Sequence, residues 1–259
     1  MATSASESSS ATTEFRNWLE MPDELMRIIF RRLEAVEILN SAMKVCTSWQ
    51  RICKDPAMWK VIVMHKSFDN WDKNYDHKTM TKQAVDLSCG ELIDISIKGF
   101  CTDDLLHHIV LCSSKLNRVC LWNCYHMTGS GFIRAVKGAP QLENLRLFNT
   151  PINAKDIEAI GRNCPQLKSF MMAKRFTNGS GGLFLKCDDH ALAIANNMPE
   201  LRHLVLIDGE MTNDGLEAIL IGCPQLLSLD VTMSQILDLN GNLGKLCMER
   251  IKDFKHHLI

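Results

Sequence analysis

A short apolar motif recurs along most of this 259-residue chain and constrains its fold more than any other feature. In the best copies a proline is followed at fixed offsets by three apolar residues, in the pattern Pro-x-Leu-x-x-Leu-x-Leu. The same phase continues upstream without the proline, and successive copies are 24, 26, 25, 34 and 25 residues apart. A unit this small cannot bury its own apolar face, so each copy must stack on a neighbour. The leading residues are Leu92, Leu116, Leu142, Leu167, Leu201 and Leu226.

Each repeat unit is predicted to contain a strand followed by a helix. The Leu-x-x-Leu-x-Leu step places residues two apart on one face of a strand, whereas the stretch that follows has helical spacing. A Thr, Asn or Asp stands where each helix should begin, and its side-chain oxygen can accept hydrogen bonds from unpaired backbone N–H groups. These expected caps are Thr102, Thr128, Asn153, Asp188 and Thr212.

The pattern over roughly residues 88–250 resembles the leucine-rich repeat family in its longer form. Cys164-Pro165 and Cys223-Pro224, directly before the strand, carry that signature best. The resemblance implies an α/β solenoid with a curved parallel sheet and outer helices. The one long step comes from a glycine-rich stretch around residues 174–182, which predicts a surface loop. A phosphate-binding loop is disfavoured there because no Gly-Lys-Ser/Thr follows.

Residues 14–64 lack the repeat phase and carry helical signals instead. Pro22 is expected at the first position of a helix, and the apolar residues that follow on one face of it are Leu25, Ile28, Ile29 and Leu33. Two further apolar faces predict a second and a third helix, and Asp55 should cap a last turn. Three helices in so few residues make a small core, which is commonly stabilised by a partner or an attached domain.

This segment resembles an F-box over residues 17 to about 60. The anchors are Trp18-Leu19-x-x-Pro22-x-Glu24-Leu25, Ile29-Phe30-x-x-Leu33, Ile38-Leu39, Val45-Cys46-x-x-Trp49 and Asp55-Pro56-x-x-Trp59. In the family this module docks on the Skp adaptor, which joins it to a cullin and a ubiquitin-charging machinery. The resemblance implies an adaptor-binding surface, while Val45, Cys46 and Ile52 are expected to be internal. The expected adaptor-binding residues are Leu19, Pro22, Leu25, Ile29, Leu33, Leu39, Trp49 and Trp59, of which the two tryptophans could instead face the core.

An F-box followed by leucine-rich repeats resembles the substrate receptors of SCF-type (Skp–cullin–F-box) ubiquitin ligases. Segments such as Gly99-Phe100-Cys-Thr-Asp-Asp-Leu-Leu106 are similar to the plant group of Skp-interacting partners. The expected organisation is a disordered leader (1–13), the F-box (14–64), a linker or helical cap (65–87), and repeats with a carboxy-terminal cap (88–259). An alternative is a repeat scaffold that binds the adaptor outside any ligase.

The solvent-facing strand positions between the buried triplet residues are expected to select a protein substrate. Trp122, Arg146 and Phe148 form an aromatic and arginine cluster on adjacent strands, and these residue types are enriched at interface hot spots. Arg118 and His203 are further substrate-binding candidates. Packing of Trp122 and Phe148 on neighbouring side chains, purely to shield the strands, is the alternative.

Composition points to an interaction protein of the nucleus or cytoplasm. A formal net charge of −1 gives no reason to expect nucleic acid or an anionic membrane as partner. Eleven cysteines, most at apolar repeat positions, indicate reduced and buried thiols. Cys120, Cys124 and His126, with His107-His108 one repeat earlier, could supply zinc ligands, but Cys124 falls in a turn where the family places a backbone-bonding residue. We therefore expect no metal, cofactor or catalysis, with a metal- or cysteine-dependent enzyme as the remaining alternative.

Overall fold

The computed structural model of the chain describes residues 18–65, 75–174, 188–207, 211–232, 234 and 236–256. The expected disordered leader and nearly all of the predicted glycine-rich loop lie outside these residues. Within them, no helix is long and apolar enough to cross a membrane.

The described residues form an α/β structure in which short strands alternate with helices. The helices are α1 (Asp23–Phe30), α2 (Ala35–Asn40), α3 (Thr47–Cys53), α4 (His77–Leu87), α5 (Asp103–Leu111), α6 (Gly129–Val136), α7 (Ala154–Asn163), α8 (Asp189–Asn197), α9 (Asn213–Gly222) and α10 (Asn242–Arg250). The strands are β1 (Val61–His65), β2 (Asp94–Lys98), β3 (Arg118–Trp122), β4 (Asn144–Phe148), β5 (Ser169–Ala173), β6 (His203–Ile207), β7 (Ser228–Asp230) and β8 (Asp253–Lys255).

The strands pair in parallel in the order of the sequence, β1 to β8, and the helices lie outside the sheet. This arrangement confirms the predicted solenoid. The six leading residues of the repeats are at most 3% exposed, so the motif marks the core as expected. Burial of these apolar side chains between neighbouring units is what holds the strands in register.

The sheet has two more strands than the six leucine-rich motifs predicted. Trp59-x-x-Ile62-x-Met64 supplies β1, in which Ile62 pairs with Ile95. Ile251-x-x-Phe254 supplies β8, in which Phe254 pairs with Leu229, 25 residues earlier. Because neither motif contains leucine, the prediction did not extend the repeat phase to them. The sheet therefore begins inside the segment that we had assigned to the F-box.

Sharp turns after the strands depend on unusual backbone conformations. Gly99, Asn123 and Asn149 follow β2, β3 and β4 with φ angles of 91°, 53° and 49°. Glycine and asparagine tolerate this left-handed region better than other residues. The Asn149 side-chain amide donates to Oδ1 of Asn123 over 2.9 Å, and the Cys124 thiol donates to the Trp122 carbonyl over 3.3 Å. Cys124 is thus a buried turn residue, the role implied by the family resemblance.

Three of the five expected caps form as predicted. The side chains of Thr128, Asn153 and Thr212 accept hydrogen bonds from the first turn of their helices. Thr102 and Asp188 occupy cap positions but make no capping bond with their side chains.

Two aspartates instead connect one repeat to the next. Asp188 accepts hydrogen bonds from the backbone N–H and the hydroxyl of Thr212 over 2.8 and 2.7 Å. Asp103 holds Thr128 in the same way, over 2.8 and 2.6 Å. We call each of these two-bond contacts an aspartate clasp. Charge-assisted bonds of this kind are stronger than neutral ones and fix the stacking of adjacent outer helices.

The amino-terminal segment shares the core of the repeats. Trp59 is 1% exposed, and its indole N–H donates to the Cys53 carbonyl over 2.7 Å. Asp55 caps the preceding turn, as expected, by accepting from Ala57 N–H. Pro22 lies at the N-cap of α1 and not at its first helical position. Buried side chains form one continuous apolar cluster from Met26 to Ile251.

Candidate protein-binding surfaces

Helix α1 has apolar residues on two faces, and only one face is buried. Met26 and Phe30 lie in the core, each 1% exposed. Leu25 and Ile28 are 50% and 52% exposed, and Leu33, just beyond the helix, is 37% exposed. Together with the exposed Pro22, these three residues form what we call the α1 surface. Contiguous apolar groups left in water mark a candidate protein-binding site.

Ion pairs fix α1 on the rest of its module. Arg27 bridges Glu24 and Asp55 over 3.0 and 3.2 Å, and Arg51 pairs with Asp23 over 2.8 Å. The hydrogen bond from Arg51 lowers the pKa of the Asp23 carboxyl. Such exposed pairs add little free energy, but here they connect α1 to α3 and to the Asp55 turn. The α1 surface is therefore presented by a supported helix.

Trp49 lies at the boundary between this surface and the core. Its ring is half-buried and packs edge-on against Phe30, with ring centroids 4.9 Å apart, and against Trp18 at 6.1 Å. Trp18 itself is half-exposed. Ile29, also among the expected adaptor-binding residues, is partly buried. Both Trp49 and Ile29 can contact a partner with only part of their side chain.

Two of the expected adaptor-binding residues do not reach the surface. Leu39 is 6% exposed because α2 packs on the core, and Trp59 is enclosed because it is the first leading residue of the repeats. Our expectation that Val45 is internal is also wrong, since it lies before α3 and is 59% exposed. The side chain of Leu19 lies outside the described part of the chain. Ile28 was placed on the apolar face of α1 by its helical spacing but was left out of the adaptor-binding set.

An open groove of about 520 Å³ runs beside the α1 surface, between the end of α1 and strand β1. Leu33 and the exposed Val61 and Val63 contribute apolar area, and Arg31 and Arg32 contribute positive charge. The groove continues the exposed apolar region from the helical module onto the edge of the sheet.

The aromatic cluster predicted on the strands is brought together. Trp122 and Phe148 pair across β3 and β4, and their ring centroids are 4.7 Å apart at an interplanar angle of 37°. The Trp122 indole N–H donates to Sγ of Cys120 over 2.8 Å. Arg146 is exposed on the same side of the sheet, two residues before Phe148. Both residues are only partly buried, so part of the pair remains accessible to a ligand.

The other two substrate-binding candidates lie apart from this cluster. Arg118 is at the opposite end of β3 and forms an ion pair with Asp94 over 3.4 Å. His203 is three strands away from Arg118 in the same row of the sheet, or roughly 14 Å at the usual strand spacing. The structure therefore does not join all five candidates into one site.

The charge on this face is mixed. Burial raises the pKa of the Asp94 carboxyl, although the nearby Arg118 and Arg146 oppose the shift. Burial also lowers the pKa of His65, whose ring nitrogen lies 3.1 Å from the Ser96 hydroxyl. Arg146 faces Cys120 and Met171 on the neighbouring strands, so neutral side chains flank its guanidinium there.

The buried thiols behave mainly as small apolar side chains. Burial raises the pKa of Cys164 to about 12 and that of Cys223 to about 11. Cys124 differs, because a hydrogen bond from the Cys101 thiol lowers its pKa to about 7. Among the described residues, the set considered for zinc in the sequence, Cys120, Cys124 and His126, does not converge on one point.

Comparison with known proteins gives relatives over nearly the whole chain. The F-box-like family model matches residues 18–65. The chain is 42% identical to putative F-box/LRR-repeat protein 23 of Arabidopsis thaliana, over 93% of this chain and 54% of that protein. It is 41% identical to F-box protein SKIP19 of the same plant, over 94% and 78%, and 35% identical to putative F-box/LRR-repeat protein 9, over 90% and 94%. The chain thus spans about half of the first relative and most of the other two.

A solved structure shares the fold at low sequence similarity. The crystal structure of the yeast Rad7 and Elc1 complex contains a chain that matches with a TM-score of 0.50 and 13% identity. The match covers 90% of this chain and 68% of that one. At this identity the likeness concerns the fold alone.

Proposed function

This chain belongs to the plant F-box/leucine-rich-repeat family, and we propose that it is the substrate-recognition subunit of an SCF-type ubiquitin ligase. In this role the F-box binds the Skp adaptor, the adaptor joins it to a cullin, and the repeats capture a target protein. Ubiquitin transfer takes place on other subunits, so this chain contributes proximity and no chemistry. The proposal places the protein in the nucleus, the cytoplasm or both.

The α1 surface is the observation that carries the proposal. Leu25 and Ile28 expose large apolar side chains on a helix whose other face is fully buried, which is how a small module presents an anchor to a partner. Membership in an F-box family supports a Skp adaptor as that partner. The second half of the proposal rests on the partly exposed ring pair of Trp122 and Phe148 beside the exposed Arg146.

Substituting two residues of the α1 surface tests adaptor binding. Leu25→Asp combined with Ile28→Asp should weaken binding of purified Skp adaptor by at least ~1–3 kcal/mol, because burial of the two apolar groups is lost and charge enters the interface. Isothermal titration calorimetry measures the change. The melting temperature should stay near that of the parent, since both side chains are half-exposed.

A matched control uses a more exposed apolar residue elsewhere on the chain. Ile221 on α9 is 74% exposed, and Ile221→Asp should leave adaptor affinity unchanged. Undiminished binding by the double variant would show that the adaptor does not dock on the α1 surface.

Recovery of the cullin separates the ligase from an adaptor-binding scaffold. The intact chain, purified from plant cells, should bring down both the adaptor and the cullin, and the double variant should bring down neither. Co-purification of the adaptor without the cullin would favour a role as an adaptor-binding scaffold outside a ligase.

A further inference from the structure

Three metal-ligating side chains converge on the outer surface of the solenoid, where α4 packs beside α5. Asp86 comes from the last turn of α4, His108 from the last turn of α5, and Cys112 ends α5. Their ligand atoms all lie within 4.8 Å of one another. His108 and Cys112 are four residues apart, the spacing that puts two side chains on one face of a helix. None of these residues belongs to the α1 surface or to the Trp122 cluster.

The distances suit a small tetrahedral ion. Nε2 of His108 lies 3.0 Å from Oδ1 of Asp86 and 3.9 Å from Sγ of Cys112. Zinc bond lengths of roughly 2.0–2.3 Å place tetrahedral ligand atoms roughly 3.3–3.6 Å apart. The two observed distances fall on either side of this range, and all three ligand atoms lie within 4.8 Å of one another, so adjustment of the side chains can bring them onto one ion.

The three side chains meet at a single nitrogen of His108. Both contacts of His108 converge on the same ring nitrogen, Nε2. Without an ion, a protonated Nε2 donates to the carboxylate, and the weakly accepting sulfur lies beside it. A divalent cation can take the place of the protons there, because it binds the Nε2 lone pair, the carboxylate and the thiolate together.

We propose that Asp86, His108 and Cys112 form a zinc-binding site that connects α4 to α5. An imidazole, a thiolate and a carboxylate suit zinc better than magnesium or calcium, which prefer oxygen ligands alone. The Asp86 and His108 side chains are 60% and 28% exposed, so the ion can enter from solvent and keep a water molecule as its fourth ligand. Binding links the outer helices of the first two repeats and stabilises the folded chain.

Metal titration of the full chain tests this proposal. Protein that has been reduced and stripped with a chelator should bind one Zn²⁺ per chain, and zinc should raise its melting temperature. Co²⁺ in place of zinc should give a thiolate-to-cobalt charge-transfer absorption.

Single substitutions assign the ligands. Asp86→Asn, His108→Gln and Cys112→Ser should each weaken zinc binding by more than the roughly 10- to 100-fold that loss of a supporting hydrogen bond costs. Cys112→Ser should also remove the charge-transfer absorption. The melting temperature of each variant is first measured without metal. A value near that of the parent shows that the variant is folded, so weaker zinc binding then reflects loss of a ligand.

Two neighbouring residues provide matched controls. His107 is adjacent to His108 but outside the cluster, and Cys89 is an exposed thiol in the turn after α4. His107→Gln and Cys89→Ser should keep both zinc affinity and the cobalt absorption. Absence of zinc binding by the parent, a charge-transfer absorption that survives Cys112→Ser, or its loss in Cys89→Ser would each overturn the proposal.

Discussion

At the scale of single residues, the side of the strand or helix on which a residue lies determines whether it is buried. Leu145, Leu204 and Leu229 occupy the same position in three repeats, and each is 0% exposed. The repeat phase predicted them as core because residues two apart on a strand share a face. The same reasoning could not separate the two apolar faces of α1, since Leu25 and Met26 are equally apolar.

Replacing one core leucine should unfold the repeats. Leu204→Asp would bury an unpaired carboxylate among apolar side chains, at a cost comparable with the whole stability of a small domain, about 5–15 kcal/mol. Thermal denaturation followed by circular dichroism should show no cooperative transition near that of the parent. Leu192 on α8 is half-exposed, so Leu192→Asp is the control and should melt close to the parent. A parent-like melt of Leu204→Asp would contradict the repeat phase.

Trp59 shows why some single residues could not be assigned from the sequence. It fits the last anchor of the F-box pattern and also the leading position of a repeat, three residues before Ile62. Both patterns require an apolar residue, so neither spacing indicates which partner it faces. Only the position of β1 in the sheet decides that Trp59 belongs to the core.

At the scale of whole elements, the strands and outer helices were largely predictable, and the links between them were not. Helix starts followed from cap residues such as Asn153, whose oxygen accepts from the first turn of α7. The aspartate clasps could not be foreseen, because a clasp joins residues 24 or 25 positions apart and depends on how two helices stack. Strands β1 and β8 were missed because their apolar residues are isoleucine, methionine and phenylalanine.

A glycine in the first turn of α9 makes room for one clasp. A methyl group at Gly215 would lie 2.2 Å from Oδ1 of Asp188, closer than atoms can approach. Gly215→Ala should therefore destabilise the repeats, although alanine favours a helix over glycine by about 1 kcal/mol. Urea denaturation should give a lower midpoint than the parent. Gly241→Ala, where nothing lies within 4 Å of the new methyl group, should change the midpoint much less.

Should Gly215→Ala instead raise the midpoint, helix propensity would outweigh the clasp. Asp188→Ala then separates the contribution of the clasp from that of helix propensity, since it removes both hydrogen bonds to Thr212 without changing any residue of α9.

At the scale of the molecule, the proposed target-binding cluster and the α1 surface lie on different modules that share one apolar core. The ring pair of Trp122 and Phe148 is on the sheet, and Leu25 and Ile28 are on the amino-terminal helices. The family resemblance predicted this division of roles. It could not place His203 relative to the cluster, because that distance depends on how many strands intervene and how they pair.

Truncating the cluster should abolish target recruitment without affecting the adaptor. Trp122→Ala with Arg146→Ala removes a partly exposed indole and an exposed arginine side chain, residue types that are enriched at interface hot spots. Proximity labelling in plant cells should lose the proteins that the parent captures, while adaptor affinity stays constant. The substitution Glu217→Ala on the outer helix α9 is the control and should retain them.

If the double variant loses thermal stability and not target recruitment, the ring pair has a structural role. Recruitment that survives the double substitution would move target binding away from β3 and β4.

The position of Trp59 determines how an inactive form of this protein should be made. A chain shortened to its repeats would lose the Cys53 carbonyl that receives the Trp59 indole N–H, and would uncover the apolar side of β1. Such a fragment would be prone to aggregate, because it has an unpaired strand edge and exposes apolar core side chains to solvent. The full-length chain carrying Leu25→Asp and Ile28→Asp keeps that core closed. It would hold targets without delivering them to the ligase, and so act as a trap from which they can be identified.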